Sequence, residues 1–240
     1  MKNSKKALPL VTVLAGTAAM ALRRQLYLTA VDGKGLLLRY TPLELALLAL
    51  TAAVFCLVLP VLGKDRGSDL YEDNYSAGVP AALGHVAAAV GIFTALPQGM
   101  AVMTGNMGKL WDLLRMAAAV CLLLAGFFRL LGKKPFFLLH VIPCLFFLVH
   151  TVSRYQLWSS NPQTQDFLFA VLAVAGLALF SYHTAAFEAD MGSRKWVLGS
   201  GLLSVYLCLA ELGWSDSPGL YFGCMFWALT GMCRISGEKE

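Results

Sequence analysis

Two long apolar runs joined by a short polar turn occupy residues 135–191. The first run closes on His150-Thr151-Val152-Ser153-Arg154-Tyr155-Gln156-Leu157-Trp158, the turn is Ser159-Ser160-Asn161-Pro162-Gln163, and the second run leaves at once. Apolar runs of about 20 residues match the hydrocarbon thickness of a bilayer, where a helix satisfies its own backbone polar groups. The pattern therefore predicts a membrane hairpin, and the rest of the chain repeats it. Hydrophobic residues make up 58% of the 240 and charged residues 14%, against roughly 25% charged in a soluble domain. The longest internal polar connection, residues 63–79, leaves no soluble domain of useful size. The sequence predicts an all-α polytopic integral membrane protein, one membrane domain over residues 1–240, with about eight transmembrane helices.

The first apolar run, residues 7–22, follows Lys2, Lys5 and Lys6 and ends at Arg23-Arg24. A basic start, a short apolar stretch and Ala19-Met20-Ala21 also suit a cleaved signal peptide. Retained, the helix continues through Tyr27, with the two arginines reaching to the headgroups. Thr41-Pro42 predicts the start of the second helix, with Thr at the cap and Glu44 near the positive end of the helix dipole. Residues 63–79, with Lys64, Arg66, Asp65, Asp69, Glu72 and Asp73, read as a solvated loop. The third helix, residues 80–103, carries His85 and a proline kink at Pro97-Gln98. The fourth covers residues 111–131, and the fifth, residues 136–158, holds His140, Pro143, His150 and Arg154. Asn161-Pro162 predicts the start of the sixth, which runs to Asp190 with Gly192 as its stop. The seventh, residues 196–214, holds Glu211, and the eighth, residues 219–234, opens with Gly219-x-x-x-Gly223, which permits close helix approach. The six cysteines lie in apolar segments without a metal or disulfide pattern and read as small buried hydrophobes.

With the N-terminus in the cytoplasm and eight crossings, twelve Lys and Arg residues fall inside and seven outside, as the positive-inside rule requires. Both termini are then cytoplasmic. Arg-x-Gln-Leu-aromatic recurs at Arg23-Arg24-Gln25-Leu26-Tyr27 and Arg154-Tyr155-Gln156-Leu157-Trp158, four helices apart at the outer edge. Gly126-Phe127-Phe128-Arg129-Leu130 and Gly231-Met232-Cys233-Arg234-Ile235 form a second such pair at the inner edge. Together they suggest a 4+4 parallel repeat of residues 1–132 and 133–240.

His150, Arg154 and Trp158 share a helical stripe at the outer end. Arg23, Arg24, Glu44, Arg115 and Glu211 reach the same level, forming a rim suited to an anion, a zwitterion or interhelical ion pairs. Taken singly, Arg and Trp at that level are ordinary headgroup markers. Glu211 is the exception, because apolar neighbours leave it in need of a partner, which Arg115, Arg154 or Arg23 can supply. Toward the inner half, His85, His140 and His183 fall at a common level with Glu188, a proton-relay composition. His140 and His150 lie about 280° apart around one helix and do not form a metal site. No cofactor, phosphate-loop or nucleophile motif is present, and nucleic acid is not an expected partner.

The segment Arg154-Tyr155-Gln156-Leu157-Trp158-Ser159-Ser160-Asn161-Pro162-Gln163, with Ala185-Ala186-Phe187-Glu188-Ala189-Asp190-Met191-Gly192, is similar to stretches of multi-pass bacterial membrane proteins without an assigned activity. The resemblance implies a bacterial cytoplasmic membrane location and supplies no activity and no catalytic residues to carry over. The leading functional expectation is a small-molecule transport or sensing module, with the outer rim and the kinks at Pro97 and Pro143 lining a cavity and Gln98, His140 or Glu211 facing it. The alternatives are a non-catalytic membrane partner, acting in a homo-oligomer or beside another subunit, and an intramembrane enzyme. The lipid bilayer is the expected surrounding partner.

Overall fold

Because a backbone inside hydrocarbon has no water to bond, apolar runs of this length become helices, and that is what they do here. The computed structural model describes residues 2–30, 38, 41–63, 71–74, 78–95, 106–158 and 168–232. The described residues form α1 (Lys2–Thr29), α2 (Pro42–Gly63), α3 (Tyr71–Asn74), α4 (Val79–Thr94), α5 (Asn106–Leu130), α6 (Leu138–Trp158), α7 (Leu168–Glu188), α8 (Arg194–Leu212) and α9 (Pro218–Gly231). No strand occurs among them. Six helices are long and apolar enough to cross a membrane, through the segments Ala7–Thr29, Pro42–Pro60, Gly108–Leu130, Leu138–Tyr155, Leu168–Glu188 and Arg194–Leu212. Helices α4 and α9 are shorter, at 16 and 14 residues.

Helices α4 to α9 close into a ring, α4 against α5, α5 against α6, and so on until α9 returns to α4 and α8. The pair α1 and α2 packs on the outside of α8. This makes α8 the most enclosed span, with 78% of its apolar window buried against 17% for α2. Large aromatic residues fill the interior: Trp111, Phe146, Phe147, Phe180, Tyr206, Tyr221 and Trp227 are fully buried. The outer face carries Leu14, Phe93, Leu113, Phe127, Leu179 and Phe222, all exposed. A surface this apolar is suited to lipid and not to water.

Several sequence expectations are met in detail. The Glu44 amide donates to Thr41 Oγ1 at 3.2 Å, capping α2. Glycines bring α4 and α9 together: a Cβ on Gly223 would sit 2.2 Å from the Ala87 carbonyl oxygen, and one on Gly91 2.5 Å from that of Gly219. Of the cysteines expected to be buried, Cys121, Cys208 and Cys224 are, Cys144 is partly so, and Cys56 is instead exposed on α2; all five are free thiols.

Other expectations need correction. α7 stops at Glu188, and the left-handed residue is Asp190, at φ 58°. The Met191 amide reaches back to the Ala186 carbonyl at 3.0 Å, closing the last turn in a Schellman arrangement. Gly192 instead serves close packing, since a Cβ there would fall 2.4 Å from the Phe187 nitrogen. The 63–79 connection is not solvated throughout, because α3 buries Tyr71 beside Phe187 and Asn74 under Arg194, whose guanidinium donates to the Asn74 side-chain Oδ1. The Pro97-Gln98 kink and the Asn161-Pro162 helix start lie outside the described residues.

Substituting Gly223→Ala should lower stability by about 1–3 kcal/mol through overpacking against the α4 backbone. Gly219→Ala, whose Cβ would meet only the Thr94 hydroxyl at 3.2 Å, should cost less. Denaturant unfolding of the two purified variants in the same detergent checks the order.

Candidate functional site

Polar side chains gather at opposite ends of the bundle. The end that holds the close of α5, the start of α6 and the close of α7 carries a continuous hydrogen-bonded chain. Arg129 Nη2 donates to Glu188 Oε1 at 3.2 Å, and Glu188 Oε2 meets His140 Nδ1 at 2.8 Å. His140 Nε2 faces His85 Nε2 at 3.2 Å, and His85 Nδ1 donates to the Ala81 carbonyl at 2.7 Å. All four side chains are buried. Four helices supply them, one each from α5, α7, α6 and α4.

Local structure explains the placement. Ala81 lies one turn before His85, so the helix itself presents the acceptor for Nδ1. Gly126 lets α5 approach, since a Cβ there would sit 2.9 Å from the His85 Cβ. The Ser181 hydroxyl donates to the His140 carbonyl at 2.7 Å, tying α7 to α6 in the same turn as Pro143. From α9, Trp227 stacks on His140 with ring centroids 5.8 Å apart and planes 5° apart, and meets His85 edge-on at 6.0 Å. The aromatic lid keeps water from the two imidazoles, which strengthens each bond in the chain.

A cavity of about 490 Å³ opens beside this chain, between the α5–α6 turn and the close of α7. Phe128, Lys134, Phe136, Phe137, Glu188 and Ala189 are among its walls. Lys134 Nζ pairs with Asp190 Oδ2 at 2.5 Å at its edge. The Tyr71 ring lies 5.3 Å from both the Arg129 guanidinium carbon and Lys134 Nζ, so α3 closes the same end. Glu188 is the member of the chain that lines this cavity, with its carboxyl buried behind the wall.

The opposite end contains the expected rim, arranged differently from a lined vestibule. Glu211 pairs with Arg23, and both side chains are buried. Arg23 therefore turns inward, with the Phe169 ring 5.3 Å from its guanidinium carbon, and does not reach for the headgroups as the sequence suggested. Arg24 is the exposed one of the pair. Arg154 is buried nearby and acts electrostatically on Glu211 and on the buried Tyr221. His150 is buried between Trp111 and Phe146, at ring distances of 6.0 and 5.6 Å. Its Nε2 and the Tyr221 hydroxyl find no hydrogen-bond partner among the described residues. Arg115 serves elsewhere, bonding the Phe93 and Ala95 carbonyls at 3.2 and 3.1 Å where α4 ends, and pairing with Asp112. Gln98 and the Trp158 side chain lie outside the described residues.

His140 and Glu211, expected to face one cavity, belong to different ends, and each has its own partner. His183 does not join His85 and His140; it stacks on Trp196 at 5.8 Å. Helical phase carries the signal, because His183 and Glu188 are five residues apart and so about 140° apart around α7. In the sequence Arg129 stands out only as part of the inner-edge repeat match. Its position at a helix end level with Glu188 is the signal for the pairing. Among the described residues no group of three or more His, Cys, Asp or Glu is placed to hold a metal ion.

No family model, curated protein or solved structure matches this chain.

Removing one partner of the Arg23–Glu211 pair strands a buried charge, so Arg23→Met should destabilise by about 3–5 kcal/mol. Adding Glu211→Met to it should restore most of the loss. A double-mutant cycle of unfolding free energies in detergent reads both numbers.

Proposed function

We propose that the chain is a small transport or sensing module of a bacterial cytoplasmic membrane, operated by the buried Glu188–His140–His85 chain. The single observation that carries this reading is an unbroken run of protonatable groups through an apolar interior, starting at an open cavity. Ionisable residues in such surroundings are costly to bury, and proton relays are one of the uses to which membrane proteins put them. Arg129 compensates the carboxylate, and the aromatic lid excludes competing water.

The proposed layout has eight crossings with both termini cytoplasmic, supported by the twelve-to-seven distribution of basic residues. It places the histidine chain at the cytoplasmic end and the Arg23–Glu211 pair at the outer end. Helices α4 and α9 rise about 24 and 21 Å at 1.5 Å per residue, short of a hydrocarbon core of about 30 Å. Arg115 satisfies the carbonyls at the close of α4, so a short helix can end at depth beside protein. The 4+4 repeat has support from α1–α2 and α6–α7, and from α4–α5 and α8–α9, which pack as corresponding neighbours. The contact of α7 with α8 has no comparably close counterpart in the first half.

A second reading, a non-catalytic partner or scaffold subunit, draws on the filled aromatic interior. The enzyme reading has two histidines and a carboxylate in reach of one another, but they lie under Trp227, and the nearby Ser181 hydroxyl is spent on the His140 carbonyl.

The test is a cysteine placed at Phe136, which is exposed beside the cavity, in protein reconstituted into lipid vesicles. For a transport or sensing module, its labelling rate should change with pH or with a panel of small solutes, and His140→Gln should abolish the change while the protein still folds. A rate indifferent to every condition, together with co-purification of another subunit, would establish the scaffold reading instead.

A further inference from the structure

Hydrogen bonding along the buried chain fixes how many protons it holds. The Ala81 carbonyl can only accept, so His85 Nδ1 carries a hydrogen. The 3.2 Å contact between the two Nε2 atoms is a hydrogen bond only if one hydrogen lies between them, since two bare nitrogens would repel. The 2.8 Å contact between His140 Nδ1 and Glu188 Oε2 requires a third. Three bonds thus hold three hydrogens among one carboxyl and two imidazoles.

We infer that Glu188, His140 and His85 form a one-proton store, filled and emptied from the Glu188 end. The inference rests on the proposed transport or sensing role and names its ion. With the mobile proton on Glu188, both imidazoles are neutral: the carboxyl donates to His140 Nδ1 and His140 Nε2 donates to His85. Moving it onto His140 leaves a carboxylate and one imidazolium. Moving it again, from His140 Nε2 to His85 Nε2, leaves His140 neutral and His85 charged. Every filled arrangement keeps three hydrogens and the same net charge, and what moves is one positive charge, balanced by the Glu188 carboxylate, from His140 to His85. The same bonds serve all three arrangements, with donor and acceptor exchanged at each step.

The store has one door. His85 Nδ1 is committed to the carbonyl of its own helix, Trp227 stacks on one face of His140 and meets His85 edge-on, and both rings are fully buried. The charged groups facing the chain are Arg129 from α5 and Glu188 from α7, while α9 contributes no charged residue. Lys134, Asp190 and Tyr71 surround the open end. A proton reaching His85 therefore returns by the route it entered, as a sensor requires and a conducting pore does not.

Two measurements test this on the full chain in lipid. Nitrogen-15 spectra of histidine-labelled wild-type protein, with His150 and His183 assigned by single replacement, should show hydrogen on two of the four ring nitrogens of His85 and His140 when Glu188 holds the mobile proton and on three when an imidazole does, with one Nε2 hydrogen between the rings in either case. Two bare Nε2 atoms would overturn the inference, as would Nε2 signals that move on addition of stoichiometric zinc. Vesicles under an imposed pH gradient should leak protons no faster than protein-free vesicles, and a faster leak removed by His85→Phe would overturn the single door. The hydrogen count is independent of the Phe136 labelling result. A correct count with unresponsive labelling would reject the role and keep the store, and a responsive site with the wrong count would do the reverse.

Discussion

Charges inside this bundle are compensated by side chains from distant parts of the sequence, and that requirement organises the fold. Arg129 and Glu188 join α5 to α7 across 59 residues, and Arg23 and Glu211 join α1 to α8 across 188. In a low-dielectric interior a lone ion costs several kcal/mol, far more than apolar contacts between neighbouring helices can offset. Leucine against leucine tolerates many helix arrangements. A guanidinium that must meet a carboxylate tolerates few, so these two pairs set which helices are neighbours and at what height.

Each pair is embedded in aromatic rings that serve a second purpose. Tyr71 packs against Arg129, and Phe169 against Arg23, giving each cation a ring face as well as a carboxylate. Stacking of Tyr27 on Trp214, at 4.6 Å and 5°, closes the Arg23 end. The two ends nevertheless differ in chemistry. One couples its ion pair to titratable imidazoles and an open cavity, and the other buries its ion pair among groups that hold the helices in place.

Helices were legible in the sequence because apolar length is a local property, and the Thr41 cap of α2 and the Gly223 contact were legible for the same reason. Glu211 announced its need for a partner, and Arg23 was among the three residues named for it. The direction in which Arg23 points was not legible, because a helix end exposes a basic residue equally well to headgroups or to a neighbour, and only packing on α8 decides. The level shared by His85, His140 and Glu188 could be read from helix boundaries. Their bonding depends on rotation of three helices about their axes, which composition in so apolar a chain does not encode. Burial of Tyr71 and Asn74 escaped notice because the charged residues around them resemble an ordinary hydrated connection.

The span between Arg23 and Glu211 also bears on how the molecule is made. Synthesis at about 5–20 residues per second separates the two residues by on the order of ten to forty seconds. Throughout that interval the opening helix carries a cation that nothing yet neutralises, and it can rest only loosely among its neighbours. Arrival of α8 supplies the counter-charge and draws α1 onto it. A helix made well before its partner is thus among the last to dock, and its assembly waits on a distant part of the same polypeptide.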